Sequence, residues 1–96
     1  MPELDPVIHA PARLRIMAVL TALLPGSQID FPTLGKSLDL TDGNLGAHLQ
    51  TLEAADYIKV EKSFIAKKPR THLSATTKGR AQFAAHVAAL RGICNL

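Results

Sequence analysis

Three features of the sequence predict an α+β, mainly α fold. Apolar residues recur at helical spacing in three early segments and one late one. Between residues 58 and 75 the period drops to two, the pattern of half-buried strands. Capping residues, prolines and glycines stand where the period changes.

The elements follow in order. Pro6 and Pro11 bracket an irregular arm. Pro11 can open a first helix, which Pro25-Gly26 stops. Leu14, Met17 and Leu24 fall on one side of it and Ile16, Leu20 and Leu23 on another, so it is covered from two directions. Gln28-Ile29 is at most a short strand. Asp30 can cap a second helix with Pro32 in its first turn. Leu34 and Leu38 face inward there, and Gly35 lets the next helix cross closely. Thr41 caps a third helix over about 42–55. Ile58 and Val60, then Leu73 and Ala75, alternate with polar neighbours. Residues 62–70, KSFIAKKPR, between them predict a long basic tip, since Pro69 does not suit a central strand. The hairpin occupies about 58–75. Thr76 caps a last helix over about 77–94. Helix, short strand, helix, helix, two-stranded wing, C-terminal helix is the order of a winged helix-turn-helix. One domain, 1–96, accommodates it.

Composition narrows the function. Of 96 residues, 47% are apolar, enough for a small core. No apolar run reaches the roughly 20 residues of a membrane span. The start, MPELDPVIHAPARLR, has acids where a secretory signal has cations, which predicts a cytoplasmic protein. A single cysteine, Cys94, agrees with a reducing compartment. The net charge of +3 is unevenly placed. Residues 1–57 hold three cations against seven acids, and residues 58–96 hold eight cations against one acid, Glu61. The second half therefore makes a basic surface, either a nucleic-acid footprint or a solvated hairpin.

The stretch LTDGNLGAHLQTLEAADYI, residues 40–58, carries the sharpest question. Gly43 and Gly46 each cost up to about 1 kcal/mol against alanine in a helix. At about 100° per residue, Leu45, Leu49 and Leu52 make the inner face. Gly43, Ala47, Gln50, Thr51 and Ala54 point the other way, with Asn44 beside them. That face is small, polar and uncharged. In a helix-turn-helix the second helix of the motif enters the major groove. Gly43 and Ala47 would let its backbone approach bases and phosphates, and Thr41 could donate a hydroxyl. Asn44 and Gln50 have amides able to read adenine bidentately. His48, at the edge of the core face, touches a phosphate or only packs. Two plainer readings stand beside these. The glycines could relieve crowding against the preceding helix, and Asn44 could serve the helix cap.

The same stretch, followed by VEKSFIAKKPRTHLSATTKGR and AQFAAHVAAL, resembles the small stand-alone winged-helix transcriptional regulators of the MarR/ArsR type. The opening DPVIHAPARLRIMAVL is similar to their first helix, so the resemblance spans about residues 5–91. It implies a homodimeric DNA-binding repressor or activator, with the third helix in the major groove and the wing at the flanking minor groove or backbone. Thr41, Gly43, Asn44, Ala47, His48 and Thr51 then fall on the recognition helix, and Lys62, Lys67, Lys68 and Arg70 on the wing. Gly46-Ala47 replaces a frequent Ser-Arg, Asp56 stands where many relatives end the helix with glycine, and Thr77 stands where many have proline.

The last helix has two faces on a helical wheel. Gly79, Phe83, Val87, Leu90 and Cys94 make one, and Ala81, Ala84, Ala85 and Ala88 the other, a stripe suited to dimerisation. Metal sensing finds no ligand spacing in His9, His48, His72 and His86. A site joining His9 and His86 across a dimer is the remaining option, with His86 otherwise at the helix edge. Cys94 reads as a small apolar filler. No motif for catalysis, a cofactor or a phosphate-binding loop is present, and nothing identifies an inducer. Two rivals to a sequence-preferring regulator of double-stranded DNA remain, a winged-helix protein-interaction module and a weakly specific architectural DNA binder.

Overall fold

In the computed structural model residues 3–95 are described, so both ends of the 1–96 range lie outside the described residues. These fold into five helices and a three-stranded antiparallel sheet, the winged-helix arrangement. The expected irregular arm contains a short helix, α1 (Pro6–His9), started by the Asp5 carboxylate, which accepts the Val7 N–H at 2.8 Å. Four residues are too few to show an apolar period.

Helix α2 (Pro11–Ala22) begins at Pro11 as expected. It stops before Pro25-Gly26 because Leu23 is already extended. Its freed end is held from the far end of the chain. The Arg80 guanidinium donates to the Thr21 and Leu23 carbonyls at 3.1 and 2.9 Å, groups that a helix end otherwise leaves unpaired. Leu24 lies past the helix and is exposed. Ile16, Met17 and Leu20 are wholly buried, and α2 packs against α1 and all the later helices.

Strand β1 (Ile29–Asp30) leads into α3 (Phe31–Leu38). The Asp30 carboxylate accepts the Thr33 N–H at 2.8 Å and its hydroxyl at 2.9 Å. These bonds hold the Asp30 carboxyl below the usual carboxylate range. The left-handed Asp39 (φ 54°) ends α3. Helix α4 (Asp42–Ala54) starts with the Thr41 hydroxyl accepting the Asn44 N–H at 3.2 Å. The two helices cross closely at Gly35, where a methyl group would meet Leu45 Cδ2 at 3.4 Å. After α4, Asp56 takes a left-handed conformation (φ 63°).

The wing differs from expectation at its tip. Strand β2 (Ile58–Ile65) pairs with β3 (Lys68–Ala75) along their whole length, and β1 adds a third strand beyond β3. There is no long tip, only the two-residue turn Ala66-Lys67, with φ of 51° and 65°. Both positive φ values are those of a type I′ turn, which matches the twist of a hairpin. Pro69 sits inside β3 opposite Phe64. Ile65 and Lys68 flank the turn as a hydrogen-bonded pair, so Phe64 and Pro69 are a non-bonded pair. The missing N–H of Pro69 would have pointed away from β2, and β1 does not reach that far.

Helix α5 (Thr77–Cys94) has the expected bounds and a rotated inner face. Gly79, His86 and Ala89 are buried and Phe83 packs against the core, whereas Val87 and Leu90 are half-buried and Cys94 is exposed. Cys94 is therefore no core filler. His86 is fully buried rather than at an edge. Its Nδ1 accepts the Asp5 N–H at 2.9 Å, while Asp5 also accepts the Tyr57 hydroxyl. Arm, α5 and the end of α4 thus meet at one residue.

Candidate nucleic-acid interface

The outer face of α4 is built by its cap and its leucines. Leu45 and Leu52 are wholly buried and Leu49 nearly so. This burial fixes the helix rotation and turns Thr41, Gly43, Asn44, Ala47, Gln50 and Thr51 outward, all of them exposed. A methyl group built on Gly43 or on Gly46 meets nothing within 4 Å. Neither glycine relieves crowding, so that plainer account of them does not hold. The contrast is Gly79, where a methyl carbon would stand 2.0 Å from the Tyr57 carbonyl oxygen.

The polar groups on this face differ in what they have left to offer. The Thr41 oxygen accepts the Asn44 N–H and keeps its own hydrogen to donate. Asn44 serves the cap through its backbone; among the described residues its side-chain amide has no bonded partner, and neither has that of Gln50. The Thr51 hydroxyl donates to the Ala47 carbonyl at 3.3 Å, which leaves it an acceptor. Asp42 stands exposed in the first turn, where it complements the helix dipole and opposes a phosphate at the same end.

His48 does more than pack. Its Nδ1 lies 3.2 Å from an Arg13 guanidinium nitrogen on α2. A guanidinium can only donate, so Nδ1 is the acceptor and the neutral ring carries its proton on Nε2. The ring is half-buried and held in one orientation. Sequence reasoning missed Arg13 because the pair is 35 residues apart and has no local signature.

A groove of about 780 Å³ runs between α4, the start of α3 and the wing. It brings Gly46 and Gln50 of α4 to the same space as Lys62, Arg70 and His72 of the hairpin. The acids Asp30 and Glu53 line it too. Thr41, Gly43, Asn44, Ala47, His48 and Thr51 lie outside it, as do Lys67 and Lys68 at the hairpin end. Lys62, Lys67, Lys68 and Arg70 are all exposed, and among the described residues none is paired with an acid. The wing's one acid, Glu61, is taken by Lys59 at 2.7 Å and by the Gln28 amide at 2.6 Å. The Lys59 ammonium, and then Gln28, hold the Glu61 carboxyl below its ordinary range.

On α5, Ala81, Ala84 and Ala88 are exposed, whereas Ala85 is half-buried. The open small-residue stripe is therefore Ala81, Ala84 and Ala88. His9 and His86 come together within one chain, with ring centroids 5.4 Å apart. Among the described residues no three His, Cys, Asp or Glu side chains are grouped to hold a metal. None of the described helices is long and apolar enough to cross a membrane.

Comparison with known proteins gives this surface a context. Residues 12–94 match the winged helix DNA-binding domain family. An uncharacterised protein of Methanocaldococcus jannaschii is 35% identical over 77 residues, 80% of each chain. A transcriptional regulator homologue from Pyrococcus horikoshii OT3 superposes with a TM-score of 0.82 at 32% identity, over 93% of this chain and 85% of its own. Streptococcus pneumoniae FabT, solved in complex with DNA, shares the fold with a TM-score of 0.57 at 19% identity, over 93% of this chain and 64% of its own.

Proposed function

The chain belongs to the winged helix DNA-binding domain family, and from that premise we propose that it is a dimeric transcriptional repressor that places α4 in the major groove of double-stranded DNA. One observation carries this reading. The outward face of α4 is uncharged, Gly43 on that face and Gly46 at its flank are glycines that internal packing does not need, and the face stands beside four wing cations without acidic partners. A merely solvated helix face would carry Lys and Glu. In the bound state Gly43 and Ala47 set the distance to the DNA. Asn44 and Gln50 read base edges. Thr41, His48 Nε2 and Thr51 offer hydrogen bonds to backbone or base edges, and Lys62, Lys67, Lys68 and Arg70 contact phosphates.

The dimer is assigned to α5, whose Ala81, Ala84 and Ala88 permit a close helix–helix approach. Two α4 helices then meet successive major grooves about 34–36 Å apart, on a palindromic site. Selection of bound duplexes from a random pool tests the whole reading. A recovered palindrome with one-turn half-site spacing is the expected result. Salt-dependent binding without sequence enrichment would make the protein an architectural binder. No binding to duplex DNA at low salt would leave the protein-interaction module.

A further inference from the structure

The wing tip carries large apolar side chains among its cations, and nothing in the fold requires them there. Phe64 is 78% exposed and Ile65 is 52% exposed. Phe64 stands directly opposite Pro69, so both lie on one face of the hairpin. With Phe64 so exposed, that face does not bury it against Pro69. Lys62, Lys67, Lys68 and Arg70 surround this plate. The two-residue turn keeps the tip a narrow, two-stranded blade.

We infer that, where the wing meets the flanking minor groove as the resemblance implies, Phe64 backed by Pro69 on the same face of the hairpin acts as a wedge that unstacks a base step. The inference rests on the DNA-binding reading above and adds a mode of contact that bends the duplex. Charge selects the occupant. An apolar plate among cations that have no acidic partner matches a π-stacked base step flanked by phosphates. Phe, Ile and Pro are among the side chains that act as such wedges. A minor groove about 6 Å wide does not admit a two-stranded blade with its side chains unless it opens. Opening and kinking toward the major groove is the deformation a wedge produces.

The test uses the duplex recovered by selection, with 2-aminopurine placed in turn at each position flanking the α4 half-site. Wild-type protein should raise the fluorescence at one flanking step and shorten the end-to-end distance measured by energy transfer. Phe64→Ala should abolish both signals and weaken binding roughly tenfold, within the range of a lost aromatic–base stack. Its salt slope should stay that of the wild type, because no phosphate contact is lost. Phe64→Leu should keep most of the unstacking. Circular dichroism should show all variants folded, since the side chain is at the surface. Flat 2-aminopurine signals at every step with wild-type protein bound would overturn the wedge and leave the DNA-binding reading intact. Equal binding and bending by Phe64→Ala would do the same. Binding of the wild-type chain to anionic-lipid vesicles that depends on Phe64, with no unstacking of DNA, would reassign the tip to a membrane surface. Failure of the wild-type chain to bind any duplex would overturn both.

Discussion

Alanine at Gly46 should make the protein more stable and worse at binding DNA. Gly46 is in the interior of α4, and its replacement by alanine gains about 1 kcal/mol of helix propensity. No neighbour resists, because the added carbon meets nothing within 4 Å. In a domain of this size that gain raises Tm by about 4–8 °C. Gly43 is in the first turn, where the gain is smaller. In the proposed complex the Gly43 methyl stands between α4 and the major groove, and the Gly46 methyl at the flank of α4 that faces the wing. Overpacking costs about 1–3 kcal/mol, which is a loss of roughly five- to 150-fold in affinity. Gly79→Ala supplies a control of opposite sign. Its methyl carbon falls 2.0 Å from the Tyr57 carbonyl oxygen. Helix α5 must retreat by about 1 Å, at a cost on the order of 1–3 kcal/mol that outweighs the propensity gain. Calorimetry gives the stabilities and fluorescence anisotropy the affinities. Gly43→Ala and Gly46→Ala proteins that are stabilised yet bind DNA as tightly as the wild type would refute close approach. A lowered Tm in either would refute the claim that the space around them is open.

Four further outcomes are expected. Lys67→Ala and Lys68→Ala should each weaken binding alike on all sequences and lower the salt slope by about 0.9; an unchanged slope in the double variant removes these two from the phosphate contacts. Asn44→Ala should relax preference at one or two base positions at a cost of about 1–3 kcal/mol on the selected site, with Tm unchanged because the cap uses only the backbone N–H; retained preference with a lowered Tm would return Asn44 to a purely structural role. Ala84→Glu with Ala88→Glu should yield a folded monomer that binds DNA much more weakly, and sedimentation of a wild-type monomer at micromolar concentration without DNA would defeat the α5 dimer. Burial, and then the neighbouring His9, hold the His86 imidazole below the ordinary value of 6.5, against a smaller opposing pull from Asp5. The unfolded chain therefore binds that proton more readily, so stability is full above about 6.5 and falls as pH drops from there through the lowered folded value. Thermal melts should show this loss, and His86→Gln should flatten it; equal pH dependence in both proteins would exclude His86 as the titrating group.

The sequence made some layers of this structure easy to read and hid others, for physical reasons. Pro11, Asp30, Thr41 and Thr76 stand at helix starts because their chemistry is local. The change of period at Ile58 exposed the wing for the same reason. The tight turn was hidden because Ala66-Lys67 lacks the Asn-Gly signature of positive φ at both positions. Pro69 looked like a breaker because whether a strand tolerates proline depends on register. The face of α5 was misjudged because an alanine-rich helix has a weak apolar stripe, and a buried histidine decides its rotation. Arg13–His48 and Asp5–His86 join residues 35 and 81 positions apart, and no local pattern announces such pairs. For α4, the sequence showed an unusual face, and the geometry removed one of the two explanations for its glycines.

The junction at Tyr57 has a mechanical meaning. Its carbonyl accepts the Thr76 N–H at 3.0 Å and presses on Gly79, while the Thr76 hydroxyl donates to the Asp56 carbonyl at 2.7 Å. The foot of α4 and the head of α5 are therefore joined by one backbone hydrogen bond, one short side-chain hydrogen bond and the close approach of Gly79. Such a joint couples the rotation of the two helices. In the proposed dimer, a tilt between the two α5 helices would reappear as a change in the distance between the two α4 helices, multiplied by the length of the lever. A signal acting where the protomers meet would then reach α4 through this joint.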